Sequence, residues 1–144
     1  MAVSSNRLRR QEDDLRRFAD HEEVVRWFDA CLYDQTILIR QLDWFGRRDL
    51  GDTKLSLLCV GEFPGVVGFK GLGELDPQQM ASLLGARHEV ASAETALAAA
   101  AWAAFCSPDP TDLERLLRGD TTALPYLGEA LLRWDEAAGR LARR

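Results

Sequence analysis

The hydrophobic pattern of the sequence changes its period sharply at Asp29. Residues 24–28 (VVRWF) are β-branched and aromatic, which predicts a strand. After Asp29, apolar residues fall on one helical face as far as Gly46, where two arginines complement the helix dipole. A continuous apolar run at 55–60 (LSLLCV) then predicts a strand that is covered on both faces. Such a strand–helix–strand unit normally joins parallel strands by a right-handed crossover, and with the loop that follows it occupies residues 21–73.

The segments around this unit are predicted to be helical. Residues 1–20 are charged and carry a thin apolar stripe, which is typical of a surface helix. Residues 61–73 contain five glycines and a proline and are predicted to be a loop, although 66–69 are compatible with a short strand. Residues 74–144 are predicted to be helical throughout. We therefore expect an α/β fold in a single domain spanning 1–144: a small, mostly parallel sheet of two or three strands with flanking helices, followed by an all-helical C-terminal half.

Capping signals divide the C-terminal half into four predicted helices. Asp76, followed by a proline and then by Gln79 at the third helical position, forms a capping-box pattern. Ser92 and Thr111 are the predicted N-caps of the next two helices. The last helix is predicted to begin near residue 124. Its predicted buried side chains are apolar: Leu127, Leu131, Leu132 and Trp134.

The charge and hydropathy of the chain exclude two classes of partner. The formal net charge is −5, whereas a nucleic-acid-binding surface needs a basic face, so no nucleic acid is expected. No apolar run approaches the ~18 residues of a membrane helix. The N-terminus also lacks the hydrophobic stretch of a signal peptide. We therefore expect a cytoplasmic protein that does not associate with a membrane.

The cysteines and histidines do not form a recognisable metal or redox motif. The sequence has three cysteines: Cys31, Cys59 and Cys106. They lie in apolar surroundings without C-x-x-C spacing, which predicts buried free thiols. Neither His21 nor His88 has a Cys, His or carboxylate at the spacing of a zinc site. We interpret residues 87–89 as an exposed connection between helices, and no metal site is predicted.

The strongest candidate for a ligand site is the junction of the first strand with its helix. In an open α/β sheet, ligands bind beyond the carboxyl ends of the strands, where the helices point their N-termini. Asp29 lies at that edge, and Tyr33 follows one helical turn later, so both could face one crevice. The candidate ligand-binding residues are Trp27, Asp29, Tyr33, Asp34 and Gln35. In that role a carboxylate orients a polar group, Tyr33 and Gln35 donate hydrogen bonds, and Trp27 forms a wall.

A purely structural interpretation of the same residues stays open. Asp29 or Asp34 can cap the helix, and Trp27 and Tyr33 can be core residues with polar tips. The glycine-rich loop matches neither G-x-G-x-x-G nor a P-loop, and its two glutamates would repel a phosphate. We therefore interpret that loop as turn-forming and expect no cofactor. No Gly-x-Ser-x-Gly elbow is present either, so catalytic residues stay unassigned.

Four motifs follow one another within residues from about 20 to 136: VVRWFDACLYDQ, GLGELDPQQM, AAWAAFCSPDP and TTALPYLGEALLRW. They resemble the shared motifs of a bacterial family, domain of unknown function 1835. Its members have a Trp-Phe-x-x-x-x-Tyr/Phe-Asp-Gln motif, a Gly-Leu-Gly-x-Leu turn, a Trp-x-Ala-Phe helix and an Ala-Leu-Pro-Phe/Tyr-Leu helix start. The resemblance implies no particular activity. It implies a longer layout whose N-terminal half this chain lacks, which would leave a sheet edge exposed.

Two functions from different classes are compatible with these observations. The first is a module that binds or transforms a small polar or phosphorylated ligand at residues 27–35. The second is a non-catalytic adaptor or regulatory protein that binds a protein partner, or a second copy of itself, through its helical half or the exposed sheet edge. Whether the chain is an enzyme is left open.

Overall fold

The computed structural model describes residues 2–142, with side chains for residues 5–139. It contains six α-helices: α1 (Ala2–Arg16), α2 (Leu32–Gly46), α3 (Pro77–Leu83), α4 (Ser92–Cys106), α5 (Pro110–Arg118) and α6 (Leu127–Ala142). It contains three strands: β1 (Glu23–Asp29), β2 (Lys54–Val60) and β3 (His88–Glu89). Short 3-10 turns lie at Phe18–Asp20, Leu72–Glu74 and Leu84–Ala86. The α/β class and the helical C-terminal half are confirmed.

The sheet has the strand order β1-β2-β3 and is only partly parallel. β1 and β2 pair in parallel from Glu23 opposite Lys54 to Asp29 opposite Val60, with α2 as the connection. β3 pairs antiparallel with β2 over only two positions. Residues 87–89 lie between α3 and α4, and residues 88 and 89 are exposed, as predicted, but these two residues also pair with β2 as a strand, which the sequence does not predict. A strand of two exposed residues has no alternation of apolar side chains from which it could be recognised.

One hydrophobic core extends from the sheet into the helical half. α2 packs on β1, α4 and α6. On α4, Ala98 and Ala101 lie one turn apart and are fully buried, so small side chains allow that helix to approach α2 closely. The largest fully buried apolar side chains are Leu38, Ile39, Leu42, Phe45, Leu57, Leu124, Leu127 and Leu131.

Several helix starts differ from their predicted positions. The capping box of Asp76 and Gln79 is confirmed, with both of its hydrogen bonds present. The N-cap of α5 is Asp109 instead of Thr111, because the Asp109 carboxylate accepts hydrogen bonds from both the backbone and the hydroxyl of Thr111. α4 is preceded by Ala91, and Ser92 is already helical.

The buried side of α6 is narrower than predicted. Leu127 and Leu131 are fully buried, as predicted, and Ala130 lies with them. Leu132 is 48% exposed because it directly follows Leu131 and so lies off this stripe, which is formed by residues three and four apart. Trp134 is on the side of Leu131, one turn later, and its ring packs 5.0 Å from that of Phe105, but it is still 37% exposed.

The glycine-rich segment after β2 is a loop, as predicted. An isolated bridge between Phe63 and Val66 is its only strand-like pairing among the described residues, so no strand forms at 66–69. No helix of the described chain has the length and apolar composition that a membrane span requires.

Candidate functional site

The two acidic side chains at the junction of β1 and α2 bind backbone groups. The Asp34 carboxylate accepts from the Asp29 amide at 2.8 Å, and Asp29 Oδ1 accepts from the Cys31 amide at 3.0 Å. Asp29 Oδ2 accepts from the amide of Leu72 at 3.3 Å, which holds the glycine-rich loop against the end of β1. The α2 N-cap is Cys31, whose Sγ accepts from the Asp34 amide at 3.4 Å. α2 therefore starts at Leu32, which is later than the change of the hydrophobic period at Asp29 predicts.

The electrostatics of this junction do not favour a reactive group. Partial burial raises the pKa of the Asp34 carboxyl above its ordinary value, and the nearby charge of Asp29 raises it further. Burial and Asp29 also raise the pKa of the Cys31 thiol, so that thiol is not activated as a nucleophile. One ligand atom each from Asp29, Cys31 and Asp34 lie within 4.8 Å of one another. All three residues already accept backbone hydrogen bonds, so their proximity has a structural explanation.

The five predicted site residues do not share one crevice. Asp29 and Asp34 lie together, but Trp27 and Tyr33 line a cleft beside β1 that Asp34 also reaches. Gln35 points away from this cleft and lines a separate closed pocket. Tyr33 is 73% exposed, so it is not a core residue, and Asp29 is not part of the lining of the cleft that Tyr33 borders.

The closed pocket lies beside β2, beyond the end of β3, and has a volume of about 130 Å³. Four successive residues, 57–60, line it. Because successive side chains of a strand point to opposite faces, the pocket must follow the strand edge. Its other walls come from α2, α3, α4 and the segment before α6.

Gln35 is the most unusual group in this pocket. Its side-chain nitrogen donates to the carbonyl oxygen of Asp29 at 2.8 Å and lies 3.4 Å from the sulfur of Cys59. The residue is fully buried, yet its Oε1 has no hydrogen-bond partner. Among the described residues, this oxygen is the only buried side-chain polar atom without a hydrogen-bond partner. Such an atom costs about 1–3 kcal/mol if nothing binds it.

Two further polar groups border the pocket. His88 Nε2 lies 2.8 Å and 3.0 Å from the carboxylate oxygens of Glu94, whose side chain is 8% exposed. Glu94 Oε1 also accepts from the amide of Ala91, which caps α4. Tyr126 lies against Gly61 so closely that a Cβ there would be 2.3 Å from its ring. A side chain on residue 61 would therefore displace this wall of the pocket.

The pocket contains a thiol but no activated nucleophile. Burial is the main cause that raises the pKa of Cys59 to about 11, so the sulfur is protonated near neutral pH. A protonated thiol is a weak hydrogen-bond donor. All three cysteines are free, as predicted, but Cys31 and Cys106 are exposed and Cys59 is only partly buried, so their predicted burial is wrong.

Sequence reasoning missed most of this pocket because its parts are far apart in the chain. His88 lies on β3 and Glu94 on α4, and no motif spacing relates them. The sequence contains one signal for Glu94: a glutamate at the third position of a helix is half of a capping box. Tyr126 follows a proline in a short segment without periodicity.

The cleft beside β1 has a volume of about 570 Å³ and lies between this strand, α1 and α2. Three successive strand residues, Arg26, Trp27 and Phe28, line it, so it covers the outer edge of β1. It adjoins a groove of about 330 Å³ between α1 and α2, with which it shares Tyr33 and Ile37.

Comparisons with known protein families, with curated proteins and with solved structures find no match to this chain. The resemblance to domain of unknown function 1835 stays a prediction.

Proposed function

We propose that this chain binds a small, neutral molecule bearing hydroxyl or amide groups, and that the ligand occupies the closed pocket at Gln35. The observation that supports the proposal is the fully buried Oε1 of Gln35, which has no partner among the described residues. Buried polar groups in folded proteins are almost always hydrogen-bonded, so this acceptor calls for a donor. The oxygen has no accessible surface in the structure, so a ligand in the pocket supplies that donor only after the lining side chains shift to expose it.

The orientation of the Gln35 amide follows from its neighbours. Its NH₂ group faces the carbonyl oxygen of Asp29, which can only accept a hydrogen bond. If the amide were flipped, Gln35 Oε1 would lie 2.8 Å from the carbonyl oxygen of Asp29, and two acceptors would face each other. The acceptor therefore stays directed away from Asp29. Asp29 is the last residue of β1, and its carbonyl oxygen fixes the orientation of the amide.

The size of the pocket favours a ligand larger than a single water. A cavity of roughly 10–15 Å³ holds a single water, whereas this pocket has a volume of about 130 Å³. Much of its lining is apolar, with leucines from β2, α2 and α3. A concave, mostly apolar wall with a few directed polar groups is the usual form of a small-molecule site.

The polar groups in the lining favour a neutral ligand over a phosphorylated one. No lysine or arginine of the described part of the chain lines the pocket, and the pocket's acidic residue, Glu94, already binds His88. Besides the Gln35 acceptor, the lining offers the Tyr126 hydroxyl, which has no partner among the described residues. The Cys59 thiol already faces the carbonyl oxygen of Asp29 at 4.0 Å. Of the five residues predicted to bind a ligand, the proposed site keeps Gln35 and leaves out Trp27, Asp29, Tyr33 and Asp34.

A thermal-shift screen with sugars, polyols, nucleosides and small amides tests the proposal. A ligand at a hundred times its Kd stabilises the folded state by about 2.7 kcal/mol, which raises Tm by several degrees. The Gln35→Met variant keeps the side-chain length but removes the acceptor, so we expect it to lose this shift. Gln78→Met on the exposed face of α3 is the matched control and should keep it.

The proposal fails if no compound stabilises the parent chain more than the Gln35→Met variant. It also fails if the Gln78→Met control loses the shift to the same extent. Because Gln35→Met also removes the donor to Asp29, its Tm without ligand is measured first, and only the change on adding ligand is compared.

A further inference from the structure

The outer edge of β1 combines an unpaired strand with an unpaired cation. In the order β1-β2-β3, β1 has a strand neighbour on one side only, within the part of the chain that the structure describes. The cleft of about 570 Å³ follows this free edge. A free strand edge presents backbone donors and acceptors to another chain, and proteins often use it for binding.

Arg26 lies at the middle of this edge and lacks an acidic partner. Its Nε donates to Gln41 Oε1 at 2.8 Å, and its guanidinium carbon lies 5.6 Å from the centre of the Phe28 ring. No carboxylate of the described residues lies within ion-pairing distance of it. Asp14 and Asp34 line the same cleft, but neither reaches the guanidinium.

The guanidinium is partly withdrawn from water without compensation by an acid. Burial alone lowers the pKa of Arg26 below its ordinary value. Its two terminal nitrogens have no hydrogen-bond partner in the described chain, although a guanidinium offers five N–H donors in a planar fork. A fork with its terminal donors directed into a cleft is suited to a carboxylate, which it can bind through two parallel hydrogen bonds.

A second copy of this chain is a poor occupant of the cleft. If two β1 strands paired antiparallel over their full length, Arg26 would lie opposite Arg26, and Glu23 opposite Asp29. Like charges directly opposite one another on neighbouring strands are destabilising. The charge pattern therefore favours a different partner, with an acidic residue opposite Arg26.

We propose that an extended peptide segment of another protein adds as a strand to the outer edge of β1, with one of its carboxylate side chains bound to Arg26. Apolar side chains of the peptide on either side of that carboxylate would contact Trp27, Tyr33 and Ile37, which line the cleft. This site lies on the opposite side of β1 from β2 and does not depend on a ligand at Gln35.

Selection from a phage-displayed library of random dodecapeptides tests this proposal. The parent chain should enrich peptides with one Asp or Glu between β-branched or aromatic residues. The selected peptide and its matched carboxamide (Glu→Gln or Asp→Asn) are then compared by fluorescence anisotropy. Loss of the carboxylate should weaken binding to the parent chain about tenfold or more.

Variants assign the effect to Arg26. Arg26→Gln should bind the acidic peptide and its carboxamide equally weakly, whereas Arg115→Gln on α5, outside the cleft, should behave like the parent chain. N-methylation of alternate peptide amides should abolish binding, because it removes donors of the added strand. The comparison of the two peptides uses the parent chain alone, so its result does not depend on whether a variant folds.

Three results would overturn the proposal. The first is a selection without acidic enrichment, and the second is equal affinity of the parent chain for the acidic peptide and its carboxamide. The third is a dimer of the chain, seen by sedimentation equilibrium, that Val25→Pro on β1 dissociates, since this would assign the edge to a second copy.

Discussion

Gly71 is the residue that allows Asp29 to hold the glycine-rich loop. A Cβ on residue 71 would lie 2.5 Å from Asp29 Oδ2, the oxygen that accepts from the Leu72 amide. The backbone of Gly71 is extended, so alanine would be strained only by this contact. We expect Gly71→Ala to lower the free energy of unfolding by about 1–3 kcal/mol, as overpacking does. Urea titration measures the change.

Gly73 is the matched control for this substitution. A Cβ on residue 73 would have no neighbour within 4 Å, so Gly73→Ala should be neutral or stabilise by up to about 1 kcal/mol through the unfolded chain. Equal urea midpoints for the two variants would show that the contact between Asp29 and the loop contributes nothing to stability.

Residue types identified Asp29 as important, but they could not identify its partners. Capping by Asp29 or Asp34 is a local pattern and could be predicted from the helix start. The bond from Asp29 to Leu72 spans 43 residues, and no local pattern encodes it. Gln35 illustrates the same limit, because only tertiary packing leaves its side-chain oxygen without a partner while its side-chain nitrogen donates to Asp29.

At the level of elements, one ion pair joins β1, β2 and the turn before β3. Glu23 on β1 accepts from Arg87 Nε at 2.8 Å and from Ser56 Oγ on β2 at 2.7 Å. Arg87 is the main cause that lowers the pKa of Glu23 from 4.5 to about 2, and Ser56 is the next. The glutamate is therefore ionised in the folded protein at a pH where it is already protonated in the unfolded chain.

This pKa shift predicts how stability depends on pH. A depressed carboxyl pKa stabilises the fold above the ordinary value, and this contribution is lost as the pH falls towards the folded value. Glu23→Gln should therefore be less stable than the parent chain at neutral pH, and the difference should shrink between pH 4.5 and about 2. Urea titrations over this pH range measure the difference.

An Arg87→Gln background supplies the control for this prediction. Without the guanidinium, most of the pH-dependent part of the Glu23→Gln effect should disappear, because Arg87 is the largest cause of the pKa shift. A difference between Glu23→Gln and the parent chain that stays constant down to about pH 2 would contradict the prediction.

Elements with a long, regular pattern could be predicted, and short ones could not. β1, α2 and β2 follow from the change of period at Asp29, and α3 follows from its capping box. β3 has two residues and depends on pairing with Ser56 and Leu57 of β2, which is a tertiary interaction. The start of α5 moved because Asp109 and Thr111 both have capping side chains, and the structure selects the first.

At the scale of the whole molecule, the sheet and the helical half share one core. Phe28 of β1, Leu113 of α5 and Leu131 of α6 belong to the same cluster of buried residues. The closed pocket lies where the sheet packs against the helical half, since β2, α2, α4 and the segment before α6 all line it. Its composition therefore depends on how the two halves pack, which no local sequence pattern specifies.

α1 is only weakly attached to this core. Among its described side chains only Leu15 packs against the core cluster, and Leu8 is 58% exposed. β2, by contrast, has four successive buried residues, 55–58. Regions with few buried apolar contacts open locally at low free energy, whereas core strands exchange their amide hydrogens only when the whole domain unfolds.

Hydrogen–deuterium exchange should therefore separate these elements clearly. We expect β2 amides to exchange more slowly than α1 amides by on the order of 10³-fold or more, after correction for intrinsic rates, since global unfolding costs about 5 kcal/mol or more. Amides of α2 should follow β2, because Leu38, Ile39 and Leu42 are buried against the same core. If α1 were protected as strongly as β2, the helix would have to pack on the core far more extensively than Leu15 alone provides.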